Sequence, residues 1–237
     1  MTKPGFSKIT LIILASIAIL AALIYANAEK IAIFFISKNT DTKISYESLK
    51  NNGFRTFDFI GLALNDKRTG AGFLATTANV TPYWDEITSG KITLDFKLKD
   101  VRFTKWAPDE KDDYSTLPGL IAVPFSSKWK YQEITGAITV TKAGVRLNNL
   151  VATSDLIKLS VSGIVQKTGD MDADVTVYFS NALFSKIPEN FTKMVFKKDG
   201  EDWQSISVKL TGNYQIPSIE ISSKTFRLNI GLLKEFK

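Results

Sequence analysis

A chain of 237 residues, 44% of them hydrophobic and 11% aromatic with only 7 prolines, can bury a sizeable core and is not an intrinsically disordered polymer. It holds neither cysteine nor histidine, which excludes disulfides, thiolate metal sites, cysteine nucleophiles and every mechanism built on an imidazole proton shuttle. The net charge of +6 is dispersed: Lys3 and Lys8 precede the first apolar run, the other 28 basic residues face 24 acids, and no basic run is interleaved with stacking aromatics. Nucleic acid is therefore not the expected partner, whereas a mild positive charge suits an anionic lipid surface.

The stretch from Ile9 to Ala26 carries no charge. As a helix it would be about 27 Å long, against a bilayer hydrocarbon core of about 30 Å. Lys3 and Lys8 stand before it and no acid occurs until Glu29, so the positive-inside rule predicts a single pass with the N-terminus in the cytoplasm and the rest outside. The expected organisation is residues 1–28 as a membrane anchor or signal segment and residues 29–237 as one extracytoplasmic β-rich domain. Ala26-Asn27-Ala28 has the small-x-small form of a signal-peptidase site, so cleavage after Ala28 is the competing expectation. The apolar stretch Ile31 to Ile36 directly behind it favours a retained anchor.

Beyond a polar link, Ile44 to Asn52 reads as a short helix closed by Gly53. Phe54 onward reads as a strand around Phe57, Phe59 and Leu62, and Gly72 to Thr81 as a second. Pro82 to Ile87 predicts a helical turn stopped by Gly90. Lys91 to Trp106 puts Ile92, Leu94, Phe96 and Leu98 on one face and Lys91, Asp95, Lys97 and Lys99 among the alternate positions, the pattern of a half-buried strand. Ala107 to Lys130, with Pro108, Pro118-Gly119, Pro124 and four acids, is the one long irregular connection. From Tyr131, segments of roughly ten residues separated by Gly- or Asp-containing turns predict a β-meander. Asn181 to Thr192 interrupts it with a short helix capped by Asn181 and broken at Pro188, and the sheet resumes at Trp203 to Gly212 and Lys224 to Ile230.

Three constellations invite a chemical reading. Ser127-Lys128-Trp129-Lys130, Ser154-Asp155 and Lys167-Thr168-Gly169 follow the order used by Ser-Lys penicillin-binding enzymes. Yet the serine sits between Pro124 and a strand instead of opening a buried helix, and Ser154-Asp155 lacks the following Asn. Asp170, Asp172 and Asp174 begin like an EF-hand loop, but Val175 stands where that loop needs Gly and Asn181 where it needs Glu; the solvent face of a strand is expected instead. Asp109, Glu110, Asp112 and Asp113 read as a solvated acidic loop. No catalytic centre, metal or cofactor is expected.

The layout resembles the AsmA-like superfamily of bacterial envelope proteins, which includes TamB-like and YhdP-like members. The resemblance rests on the N-terminal apolar segment, on TTANVTPYWDEITSGKITLDFKLKDVRF, and on KLSVSGIVQKTGDMDADVTVYFS and SVKLTGNYQIPSIEI, the last with an L-x-G-x-x-x-x-P-x-I ending; together these cover about three quarters of the chain. It implies a mainly β fold: a curved antiparallel β-sheet, half-open and groove-like, with short edge helices, behind one N-terminal transmembrane helix. It further implies an inner-membrane protein with its domain in the periplasm, serving envelope maintenance by binding lipid or assisting outer-membrane assembly, with phospholipid and other envelope proteins as expected partners. Type II secretion protein N is a second resemblance, in size, single anchor and the GAITVTKAGVRLNNLVATSDLIKLSVSGIVQ rhythm, and it implies a structural role in secretion. Because an open apolar sheet face can hold acyl chains, Phe54, Phe57, Phe59, Phe73, Phe96, Phe103 and Phe179 are the candidate lining of a phospholipid groove, with core packing as the alternative role of each.

Overall fold

Among the described residues, alternation of apolar and polar side chains between turn residues builds thirteen strands in one antiparallel sheet. The computed structural model describes residues 42–53, 55–67, 70–104, 123–184, 189–213, 218–223 and 227–231. The expected anchor, the acidic stretch 109–113 and Phe54 lie outside these residues; among those described, no helix is long and apolar enough to cross a membrane. The strands are β1 (Thr42–Ser45), β2 (Ser48–Asn52), β3 (Thr56–Asp66), β4 (Gly72–Pro82), β5 (Ile92–Thr104), β6 (Lys130–Val140), β7 (Gly144–Thr153), β8 (Ile157–Gln166), β9 (Asp170–Ser180), β10 (Lys197–Asp199), β11 (Trp203–Asn213), β12 (Ser218–Ser222) and β13 (Arg227–Gly231). Helices α1 (Asn181–Phe184) and α2 (Glu189–Val195) interrupt the meander where the sequence predicts, and a 3-10 turn, Trp84–Ser89, joins β4 to β5.

Spatial order follows chain order from β3 to β9 and then through β11, β12 and β13. At both ends of this path two short strands lie end to end against one long one. β1 and β2 share the free side of β3, and β10 and β12 share the side of β11 that faces away from β9. The helix expected over Ile44 to Asn52 is therefore strand instead: Ile44 stands opposite Leu64, and Leu49 opposite Phe59. Cross-strand packing, including an edge-on contact of Tyr46 with Phe59 at 5.7 Å, outweighs the modest helix propensity of Tyr46 to Asn52. Gly53 does adopt the left-handed conformation (φ 64°), but it turns a hairpin rather than ending a helix.

The register places one apolar face and one polar face across the whole sheet. Ala78, Leu98, Ile134, Ala152, Leu159, Val177 and Ile206 stand side by side on successive strands, all buried. On the other face, Asp172 and Asp174 of β9 are exposed, and Asp172 meets Lys209 of β11 at 3.3 Å. This is the solvated strand face that the sequence predicts for the D-x-D-x-D run. Beyond the buried row, Phe179, Phe184 and Phe196 pack edge-to-face with centroids 4.8 to 6.1 Å apart, and Leu183 and Val195 join them, so α1 and α2 close that end.

The strand pairing is interrupted at one level on five successive strand positions. The gap falls between Ser45 and Ser48 on the edge, at Gly61 on β3, at Thr76 on β4, at Asp100 on β5 and at Gln132 on β6. Gly61 (φ 63°) and Asp100 (φ 53°) are left-handed there, and a Cβ on Gly61 would lie 2.6 Å from the Glu47 side chain. Buried residues stand three apart across this line instead of two, as in Ala75 and Ala78, Leu98 and Val101, Tyr131 and Ile134. The extra residue on each strand keeps the apolar face continuous past the break, which is how bulges redirect side chains.

Tyr131 anchors the far side of this line. It is fully buried, lies edge-on to Phe103 at 5.7 Å, and its hydroxyl donates to the Pro124 carbonyl at 2.8 Å. Burial pushes its phenol well above the ordinary value, so it stays a neutral donor. The stabilisation is complete below the ordinary phenol value of 10.0 and is lost as pH rises from there toward the higher folded value. Tyr131→Phe is expected to destabilise the domain by about 1–2 kcal/mol in urea titration at neutral pH, through the orphaned carbonyl. An unchanged midpoint would mean that Pro124 finds another donor.

Candidate functional site

The apolar face is graded from sealed to open along the strands. On β8, Ile157 is fully buried, Val161 is half-buried and Val165 is 36% exposed. β5 and β7 show the same trend, from buried Leu98 to Ile92 at 42% and from buried Ala152 to Val145 at 39%. Ile92, Val140, Val145, Val165 and Met171 stand opposite one another on five neighbouring strands and form an apolar rim at the end away from α1 and α2. Between rim and buried row lie half-buried Leu94, Phe96, Ile138, Leu147, Leu150 and Val161. From Ile157 to Val165 the face runs about 26 Å at strand rise, longer than the roughly 15 Å of one bilayer leaflet's hydrocarbon. A contiguous apolar surface open at one end marks a place where apolar ligand or partner surface can be taken out of water.

Two glycines keep this face low. The Phe96 ring lies over Gly136, whose Cβ would stand 3.0 Å from it and 2.9 Å from the Leu150 Cα. Gly163 faces Ala173 so closely that a Cβ would lie 2.5 Å from the Ala173 Cβ. Small residues at these positions let neighbouring strands and rings approach, and they leave a shallow strip between the larger side chains.

The candidate phenylalanines fall into distinct settings. Phe57 and Phe59 of β3 are half-buried; Phe57 packs edge-on to Trp84 at 6.4 Å. Phe96 is half-buried on the open part of the face, in line with Val80 and Phe57 on the neighbouring strands. Phe73 and Phe103 are partners across β4 and β5 on the far side of the pairing break. Phe179 is fully buried under Phe184 and Phe196 and offers no surface to a ligand, so its role is core packing. That Ile92, Val145 and Val165 form an exposed rim is not legible in the sequence, because alternation shows which face a residue joins but not how far along the strand that face stays covered.

The polar constellations do not assemble. Ser154 is buried in the turn before β8, where its Oγ donates to the Ile157 carbonyl at 2.9 Å and accepts from the Ile157 N–H at 3.0 Å. Lys167 follows the other end of β8, a strand length away, and Ser127 is exposed in a separate turn. No group of three or more acidic residues among those described is placed to hold a metal ion. The carboxylates in ion pairs are at least partly solvated, as in Lys97 with Glu133 at 2.7 Å and Lys91 with Glu86 at 2.9 Å. Comparison with known protein families, with curated proteins and with solved structures returns no match.

Proposed function

We propose that the sheet curls about its apolar face into a half-open trough that holds the acyl chains of a phospholipid. In this reading the protein is an AsmA-like envelope component, held in the bacterial inner membrane by residues 1–28 and working in the periplasm without catalysing a reaction. The observation that carries the reading is the graded exposure of one continuous apolar face, sealed at the aromatic cap and open at the rim of Ile92, Val145 and Val165. The aligned pairing breaks support the curl, since bulges bend strands and five bends at one level add together. The hydroxyl- and charge-rich opposite face supports it too, because it needs no cover.

The test is lipid mass spectrometry of the full-length protein purified in mild detergent, beside the triple variant Ile92→Asp, Val145→Asp, Val165→Asp. These side chains are already partly solvated, so the variant is expected to keep its thermal midpoint within a few degrees while losing retained phospholipid. A wild-type protein that carries no phospholipid, or a folded variant that carries as much, refutes the trough reading and turns attention to a scaffold role of the secretion protein N kind.

A further inference from the structure

On the polar face, the junction where β10 ends and β12 begins leaves a notch beside β11. β10 pairs with Trp203 to Ser205 and β12 with Ser207 to Thr211, so the edge of β11 is uncovered between them. The resulting hollow of 510 Å³ is lined by Lys197, Lys198, Ser205, Ser207, Ser222 and Ser223. We propose that this notch binds a terminal phosphate group, a phosphate monoester carried either by a lipid headgroup or by a soluble metabolite.

Two features select a phosphate over a generic surface contact. First, neither Lys197 nor Lys198 has an ion-pair partner among the described residues, and two acids of the neighbouring strands are engaged elsewhere. Glu220 meets Arg227 at 3.1 Å and Asp172 meets Lys209 at 3.3 Å, while Asp199 lines the neighbouring hollow with Lys158 and Trp203. Second, hydroxyls surround the charge. Ser205 stands opposite Lys197, Ser207 stands opposite Ser222, and Ser205 is nine-tenths buried. The Lys197 ammonium, on the same face as the hydroxyls of Ser205, Ser207 and Ser222, joins them to match an anion with several terminal oxygens, and charge-assisted hydrogen bonds of this kind are the strong ones; Lys198, opposite Gln204, adds positive charge from the next position of the strand. The notch lies on the face opposite the apolar one, so this inference stands apart from the trough reading.

The experiment is isothermal titration of the full-length protein in neutral detergent with sn-glycerol 3-phosphate and with dihexanoylphosphatidic acid, which share the headgroup and differ in the chains. Wild-type protein is expected to bind at least one of them, and Lys197→Ala with Lys198→Ala to weaken that binding at least about tenfold at an unchanged thermal midpoint. Ser207→Ala with Ser222→Ala, which leaves the charge intact, is expected to weaken it severalfold. Equal affinity for the two probes assigns the site to soluble phosphates; tighter binding of the phosphatidic acid, lost in the lysine variant, assigns it to a lipid headgroup. The proposal is overturned if neither probe binds at millimolar concentration, if the lysine variant binds as the wild type does, or if Lys142→Ala with Lys167→Ala, two exposed lysines in distant turns, weakens binding as much.

Discussion

Phe179→Ala is expected to cost about 3–5 kcal/mol of stability, the largest loss of any single truncation in the described sheet. Its ring is fully buried and touches Phe184 and Phe196 edge-on at 6.1 and 5.5 Å, so truncation opens a cavity where the last turn of β9 meets both helices. Ile157, opposite it on β8, is equally buried and cannot move in to fill the space without leaving its own contacts. Guanidinium titration measures the loss. Leu228→Ala, at an exposed position of β13, is the control and is expected to change stability by less than about 0.5 kcal/mol. A loss at Phe179 no larger than at Leu228 would mean that the aromatic cap does not seal the core.

Gly163→Val acts by the opposite route, overfilling. Its Cβ would stand 2.5 Å from the Ala173 Cβ and 2.6 Å from the Asp172 carbonyl oxygen, and the second of these is backbone that cannot rotate away. Strand β8 must then part from β9 at mid-length, at a cost of about 1–3 kcal/mol. Because Gly163 lies on the apolar face, between half-buried Val161 and the rim at Val165, the same change is expected to lower the amount of co-purifying phospholipid. Ser162→Val, one residue away on the polar face, is expected to leave both readouts close to wild type. Thermal melting followed by circular dichroism gives the first quantity and lipid mass spectrometry the second; a Gly163 variant as stable as the wild type would show that β8 and β9 can separate freely.

How much of this was written locally in the chain differs from element to element. Strand β5 was legible in full, because Ile92, Leu94, Phe96 and Leu98 alternate with charged residues over a span too long for coincidence. The helices after Asn181 were legible from an N-cap residue and a proline. Tyr46 to Asn52 misled because tyrosine, leucine and lysine next to a glycine suit a helix end as well as a hairpin; only β3, a partner several residues further on, decides between them. The three-residue strand β10 is too short to show a period, although the Asp199-Gly200 turn behind it is an ordinary hairpin signal. Within the candidate site, the face on which Phe57, Phe59 and Phe96 lie could be read from alternation. The sealing of Phe179 could not, since it depends on Phe184 from α1 and on Phe196, the residue after α2, in a segment that breaks the strand pattern.

The chain-order path of the sheet makes strand number its loosest dimension. Apart from the helical detour between β9 and β11, every strand from β3 onward bonds to the strands that flank it in sequence. Among the described residues no pairing reaches across the sheet to fix how many strands there must be, in contrast to a closed barrel, where strand count and stagger are locked together. Whole hairpins, each about twenty residues, are therefore the natural unit by which such a chain would lengthen or shorten at its β13 edge, leaving the aromatic cap and every existing register untouched.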